Sequence, residues 1–152
     1  MPVVKKHSNL VPRALGGAAH PDPHAVAGTL RIATGTVTNA ADDSNLSSYR
    51  LVDLPSSCYL HPDTFFDVQN WGFAAIRIGT ETDVDALVSV LKSAGNQVDP
   101  IAKGDANHGK PLWQVLGLAA DPGGHIALYA HAIANATGAG EMPFQVHYIH
   151  TS

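Results

Sequence analysis

Glycine and proline interrupt this chain so often that few of its segments are long enough to form a helix. Of its 152 residues, 14 are glycine and 10 are proline, and both residue types break regular elements. The first sustained run between them, Thr29–Asn39, is rich in Thr, Ile and Val, which favour strands. This pattern predicts a mainly β domain of short strands joined by turns, large enough for one hydrophobic core.

Six segments are predicted to form strands, in most of them because side chains of different polarity alternate along the chain. The last two fit a half-buried antiparallel pair, in which one face of each strand meets the core. We therefore predict an antiparallel β-sandwich over residues 29–152. The predicted strands are Thr29–Asn39, Tyr49–Leu54, Phe73–Ile78, Leu112–Leu118, His125–Ala132 and Pro143–His150.

One segment carries a helical pattern instead. In Thr82–Ala94 the apolar residues Val84, Leu87, Val88 and Leu91 fall at i, i+3, i+4 and i+7, which is one stripe of a helix. Thr82 and Asp85 have the spacing of a capping box, and Gly95 follows where a helix would end. The pattern predicts one short helix at this position.

Residues 1–28 show neither the two-residue period of a strand nor the 3.6-residue period of a helix, and they contain four prolines. We therefore predict an extended N-terminal arm. Its charged residues are Lys5, Lys6 and Arg13 against Asp22, a net charge of 3 − 1 = +2, while the whole chain carries −4. A basic arm on an acidic body is suited to contacting a neighbouring subunit. The alternative is a terminus without a role.

Composition limits the classes of partner. The net charge of −4 disfavours nucleic acid, whose binding depends on lysine and arginine. No segment approaches 18 consecutive apolar residues, so we expect no membrane partner and a protein made in a cytoplasm. Only 14% of residues are charged, fewer than a free-standing monomer usually carries, which indicates buried interfaces.

Gly104–Pro111 resembles the phosphate-binding pattern G-x-x-x-x-G-K-[ST] at seven positions and departs from it at the eighth. Pro111 stands where a Ser or Thr hydroxyl would bind Mg²⁺, and it has no amide proton. The segment is therefore predicted to be an ordered surface loop, and no nucleotide cofactor is expected.

Nine histidines suggest a metal site, but their spacing does not support one. His125 and His131 share a strand face about 20 Å apart, at ~3.3 Å per residue, and no H-E-x-x-H or H-x-H motif occurs. His131 and His147 would face each other only if their strands were neighbours. We predict no metal, and a single buried thiol at Cys58.

No nucleophile has the setting that catalysis requires, so we do not expect an enzyme. Neither Ser56–Ser57 nor Ser89 lies in a G-x-S-x-G turn. The carboxylate pairs Asp42–Asp43 and Asp83–Asp85 fall where a turn and a helix N-terminus explain them.

Four runs of the chain, Trp71–Gly79, Thr82–Leu87, Gly123–Ala130 and Ala136–Gly140, resemble small virion structural proteins of tailed bacteriophages. The likeness covers roughly residues 35–150 and is greatest with proteins that decorate or cement the capsid. The resemblance implies a β-sandwich of jelly-roll type that binds the major capsid protein, forms a homo-trimer and stabilises the shell from outside. It also implies a virion location after assembly in the host cytoplasm. The arm at residues 1–28 lies outside the resemblance; because it is basic, we expect its Lys5, Lys6 and Arg13 to contact an acidic capsid surface.

Two other functions stay open. The chain could be a head fibre or a tail module that binds host glycans, with Trp71, Trp113 and the Gly104–Pro111 loop as contacts. It could also be a metal enzyme of the cupin kind, since cupins are jelly rolls with histidine ligands, although the missing H-x-H argues against this.

Overall fold

The computed structural model describes residues 2–15, 17 and 20–151. Within these residues the chain forms nine strands and two short α-helices. The helices are α1 at Pro23–Ala27 and α2 at Leu112–Val115, and single 3₁₀ turns are formed by Arg13–Leu15 and Lys92–Ala94. The strands are β1 Thr29–Asn39, β2 Ser48–Pro55, β3 Tyr59–Leu60, β4 Phe65–Asp67, β5 Ala75–Gly79, β6 Val88–Leu91, β7 Gln97–Val98, β8 His125–His131 and β9 Gly140–His150.

The strands form two antiparallel sheets with a nested order. One sheet runs β1-β9-β4-β7, with β3 also paired to β9, and the other runs β2-β8-β5-β6. The first strand therefore pairs with the last, the second with the second last, and β5 with β6 at the centre of the chain. This nesting is jelly-roll topology, and it confirms the predicted mainly β, jelly-roll-like sandwich.

The core lies between the sheets and follows from strand alternation. Along β9, Met142, Phe144 and Val146 are buried while the residues between them are more exposed, because successive side chains point to opposite faces of a sheet. Strands from both sheets and α2 supply the rest of the core. Its largest fully buried members are Phe66, Leu54, Ile76, Ile78, Leu112, Leu128 and Met142.

A bulge in β2 changes which residues face the core. Pairing with β8 is regular from Ser48 to Arg50, then shifts before Val52. The extra residue lets the half-buried Tyr49 and the fully buried Leu54 both contact the core, although a regular strand would place them on opposite faces.

The predicted helix over Thr82–Ala94 is wrong. Val88–Leu91 is strand β6, paired with β5 from Ile78↔Val88 to Ala75↔Leu91, and only Lys92–Ala94 forms a 3₁₀ turn. The β-branched Val88 and Val90 favour a strand, and the pairing gives hydrogen-bond partners to the backbone groups at the edge of β5. The hydroxyl that caps a turn here belongs to Thr80, which accepts from the Asp83 N–H at 3.0 Å. Tertiary pairing thus overrides the local helical period.

The predicted strand over Leu112–Leu118 is also wrong, because its first residues form helix α2. Leu112 and Leu116, four residues apart, are both buried, which is the spacing of one helical face. Gly117 follows with φ +80°, the left-handed conformation that ends a helix. The Leu112 N–H donates to the Cys58 carbonyl at 2.7 Å and holds α2 against the segment between β2 and β3.

The predicted arm is extended only in part. Residues 2–8 are exposed and have no regular structure, whereas Arg13–Leu15 is a 3₁₀ turn and Pro23–Ala27 is α1. Asp22 caps α1 by accepting from the His24 N–H at 2.9 Å, and proline occupies the first helical position. Residues 1, 16, 18 and 19 of this region lie outside the described residues.

Candidate functional site

A cleft of about 490 Å³ lies at the base of the N-terminal arm. Its walls come from the arm, from α1, from β3 with the residues that follow it, and from the Lys103–Gly109 part of the loop before α2. The polar side chains among its lining residues are Asn9, Asp22, His24, Tyr59, His61, Lys103 and His108. This volume and mixed lining are typical of sites for small ligands or short peptide segments.

Asp22 joins the arm to β3. One of its carboxylate oxygens caps α1, and the other accepts from the Tyr59 hydroxyl at 2.6 Å. Burial, together with the hydrogen bond to Asp22, raises the pKa of Tyr59 above its usual range. Tyr59 therefore stays protonated at neutral pH and remains a donor to Asp22.

His24 joins α1 to the end of β9. Its ring stacks on that of His150, with centroids 4.2 Å apart and planes 19° from parallel. The Thr151 N–H donates to His24 Nδ1 at 3.1 Å, so the neutral ring carries its proton on Nε2. His24 Nε2 lies 3.4 Å from Ser57 Oγ, and His150 Nε2 lies 3.3 Å from the same oxygen. We call Asp22, His24, Tyr59, His150 and Thr151 the arm anchor.

The Gly104–Pro111 loop is an ordered surface loop, as predicted. The Asp105 carboxylate accepts from the N–H groups of Ala102 and Asn107 at 2.9 and 2.8 Å, and these bonds hold the pKa of Asp105 below its usual value. Gly104 and Gly109 both have φ +74°, a conformation that glycine adopts without strain. Lys103 and His108 are exposed on the rim of the cleft.

The three predicted contact residues lie along the arm. Lys5 and Lys6 are exposed in the irregular segment, and Arg13 is exposed in the 3₁₀ turn that follows it. Within the described residues neither Lys5 nor Lys6 forms an ion pair. The two lysines are therefore available to an acidic partner.

The tryptophans named for glycan binding lie away from the cleft. Trp71 is 3% exposed and packs edge-to-face on Tyr49 with centroids 5.2 Å apart. Trp113 is half-buried against the core, and neither residue lines the cleft. The aromatic group at the cleft is Tyr59, which sequence reasoning did not single out.

The histidines do not assemble a metal site. His131 and His147 lie in different sheets, so they do not face each other; His131 Nε2–H donates to the Thr80 carbonyl at 2.7 Å. His147 Nε2 lies 3.1 Å from Gln145 Oε1, and the ring centroid of His147 is 6.2 Å from that of His61. Across residues 2–15, 17 and 20–151, no group of three or more His, Cys, Asp or Glu is placed to bind a metal.

The other candidate groups have structural roles. Asp43 accepts from the Ala40 N–H at 3.0 Å and from the Tyr49 hydroxyl, so it belongs to a turn as predicted. Cys58 is fully buried, and burial raises its pKa to about 12, which confirms the buried-thiol interpretation. Among the described helices none is long and apolar enough to cross a bilayer.

The outer face of the five-stranded sheet, the side away from the core, carries the acidic residues Glu141 and Asp67 but has an uncharged region on β1 and β9. From Leu30 to Thr36 on β1 and from Pro143 to Ile149 on β9, none of the outward side chains is Lys, Arg, Asp or Glu. Leu30 and Ile32 are 49% and 57% exposed on it. Exposed apolar side chains in an uncharged region are typical of a surface that meets a partner.

Comparison of the chain with protein-family models, with curated proteins and with solved structures finds no match. What the fold itself defines is a jelly-roll domain, an architecture used by virion proteins, lectins and cupins alike.

Proposed function

We propose that this chain is a virion structural protein of the capsid-decoration type, which binds the outside of a tailed-phage shell and stabilises it. The observation that carries the proposal is the exposed basic arm fixed to a jelly roll by the arm anchor. The anchor holds one end of the arm on β3 and β9, while Lys5 and Lys6 project where a shell could bind them.

The exposed apolar side chains of the arm support this role. Val3 and Val4 are 92% and 63% exposed beside the two lysines. Burying them against a shell would stabilise the complex by about 1.5–3 kcal/mol each, and the lysines would add attraction to acidic groups. Because shells repeat their subunits by symmetry, a modest contact of this kind is multiplied over many copies.

The test is binding to empty shells from a panel of tailed phages, measured by co-sedimentation. Deletion of residues 2–8 should weaken binding on the order of tenfold or more. The deletion stops there because Asn9 and Leu10 line the cleft and Asp22 and His24 belong to the anchor. An unchanged thermal unfolding midpoint would show that the truncated protein is folded.

Charge reversal provides a matched control. The double variant Lys5→Glu/Lys6→Glu should lose shell binding, whereas Lys103→Glu/Lys110→Glu, with the same change of charge at two other exposed lysines, should retain it. Equal binding by the intact and truncated chains would refute the role of the arm. Failure of the intact chain to bind any shell would refute the decoration function.

A second candidate function, a head-fibre or tail module that binds host glycans, is favoured by the cleft. Its histidines, Asn9 and Lys103 supply hydrogen-bonding groups for sugar hydroxyls, and Tyr59 lies among them. A glycan-array signal that is lost in Lys103→Ala/His108→Ala but retained in Lys110→Ala would support it, because Lys110 does not line the cleft.

A further inference from the structure

The two sheets end in strands that differ in how well they are protected from pairing with another chain. An open edge presents unpaired N–H and C=O groups, which proteins normally protect by short strands, bulges, charges or proline. β7 has two residues and β6 has four. β2 has eight, but it contains a bulge, ends in Pro55 and carries the Arg50–Asp53 ion pair at 2.6 Å.

β1 has almost none of these protections. It is eleven residues long, and its pairing with β9 is continuous from Thr29 to Asn39 without a bulge. It contains no proline and a single charged residue, Arg31. Among the strands of the described residues none pairs with its other side, and seven of its eleven residues are exposed. Such an edge is incomplete in an isolated chain.

We propose that β1 pairs with β1 of a second copy, antiparallel about a two-fold axis at Thr34, so that the two five-stranded sheets become one continuous sheet. Thr34 is the middle residue of the strand, and this register therefore pairs all eleven residues. A two-fold contact of this kind is closed and self-complementary.

The charge pattern of β1 suits pairing with β1 of a second copy. In the proposed register Arg31 lies opposite Val37 of the partner subunit, on the side of the strand that faces the core. The two arginines are then six residues apart along the ladder, roughly 20 Å, so they do not repel each other strongly. Each can lay its aliphatic stem along the half-buried Val37 of the other copy.

The side chains on the outer face also fit. Leu30 lies opposite Thr38 of the partner subunit, and Ile32 lies opposite Thr36 of the partner subunit. β-branched cross-strand pairs stabilise antiparallel ladders, and the pairing covers apolar surface that is about half exposed in one copy. On the core side, Ala33 lies opposite Gly35 of the partner subunit, and these small residues allow close approach.

The pairing does not depend on the decoration function, because it is measured without shells. It would replace the trimer implied by the family resemblance with a two-fold pair. The first experiment is sedimentation equilibrium of the purified full chain up to about 100 µM, a range that detects association with micromolar Kd.

The wild-type chain should sediment at twice the mass of one chain. Thr34→Lys and Thr34→Glu should each raise the dissociation constant on the order of tenfold, because they place like charges opposite each other. An equimolar mixture of the two variants should restore the dimer as a mixed pair. Ser48→Lys, at an exposed small polar residue of the protected edge strand β2, is the control and should sediment like the wild type.

Cross-linking tests the register. Thr34→Cys should oxidise to a covalent dimer, since directly opposed residues lie within disulfide reach. Thr38→Cys should not, because the two copies of that position would be eight residues apart along the ladder. Cys58 is buried and should not interfere.

A wild-type monomer or trimer would overturn the proposal. So would a dimer that survives both charged variants, or a mixture that fails to re-form it. Cross-linking through Thr38→Cys in place of Thr34→Cys would overturn the stated register. Circular dichroism of each variant separates loss of pairing from loss of folding.

Discussion

Replacing the buried Asn39 at the end of β1 should destabilise the fold strongly, because its side chain joins three separate segments. It is 7% exposed. Its Nδ2 donates to the Gly138 carbonyl at 2.9 Å, and its Oδ1 accepts from the Gly72 N–H at 3.1 Å. Asn39→Ala leaves the buried Gly72 N–H and the part-buried Gly138 carbonyl without this partner, and an unsatisfied buried group costs about 1–3 kcal/mol. We expect a loss of about 3 kcal/mol in the free energy of unfolding.

The assay is urea unfolding followed by tryptophan fluorescence, to which the buried Trp71 and the half-buried Trp113 both contribute. A loss of about 3 kcal/mol should also lower the thermal midpoint by about 10 °C in a chain of this length. Asn96→Ala, at an exposed asparagine whose side chain forms no hydrogen bond with the described residues, is the control and should change stability by less than about 0.5 kcal/mol. A loss below about 1 kcal/mol for Asn39→Ala would refute the reasoning.

Three further predictions concern packing and titration. Gly35→Ala should cost about 1–3 kcal/mol in urea unfolding, because a Cβ there would lie 2.9 Å from Cζ of the buried Phe144 ring; Gly138→Ala, with open space around it, should be nearly neutral. Cys58, whose pKa is raised by burial to about 12, should react with a thiol reagent at pH 8 only after unfolding; rapid reaction of the native protein would contradict this. Hydrogen bonds from the Ser56 hydroxyl and the Gly123 N–H hold the pKa of Asp121 below its usual value. The ionised carboxylate of Asp121 therefore stabilises the fold at pH values above its unfolded-state pKa, near 3.9, and this stabilisation is lost as the pH falls through the lower folded-state pKa. The thermal midpoint should therefore drop between about pH 5 and pH 2, and Asp121→Asn should flatten that drop.

The long strands were predictable because each has a two-residue period that its tertiary contacts reinforce. In β9 the alternation of Phe144 and Val146 with Gln145 and His147 sets one face against the core, and β1 and β8 behave in the same way. In all three strands, the strand propensity of the residues and the burial of one strand face both favour β-structure. The sequence therefore predicts the fold class and these strands within a few residues.

The errors arose where local pattern and tertiary pairing differ. The apolar residues of 84–91 have a helical period, but Val88–Leu91 forms a strand because it pairs with the edge of β5. β3, β4 and β7 are only two or three residues long, too short to show alternation. Helix α1 was missed although Asp22 followed by proline is an N-terminal helix signal.

The candidate site could be predicted only in part. The basic residues of the arm and the glycine loop are evident in the sequence. The arm anchor is not, because it joins Asp22 to Tyr59 and His24 to Thr151, contacts between residues far apart in the chain. Only the nested strand order brings these positions together.

That strand order also determines how the two proposed contacts relate to each other. Because the first strand pairs with the last, the residues before β1 and those at the end of β9 meet at one end of the same sheet. The arm anchor reaches Tyr59 on β3, which lies on one side of β9, whereas β1 and its open edge lie on the other side. A partner bound by the arm and a second copy paired through β1 would therefore occupy different sides of β9. Loss of shell binding after deletion of residues 2–8 should accordingly leave the two-fold pair intact, and Thr34→Lys should separate the pair without removing the arm from its anchor.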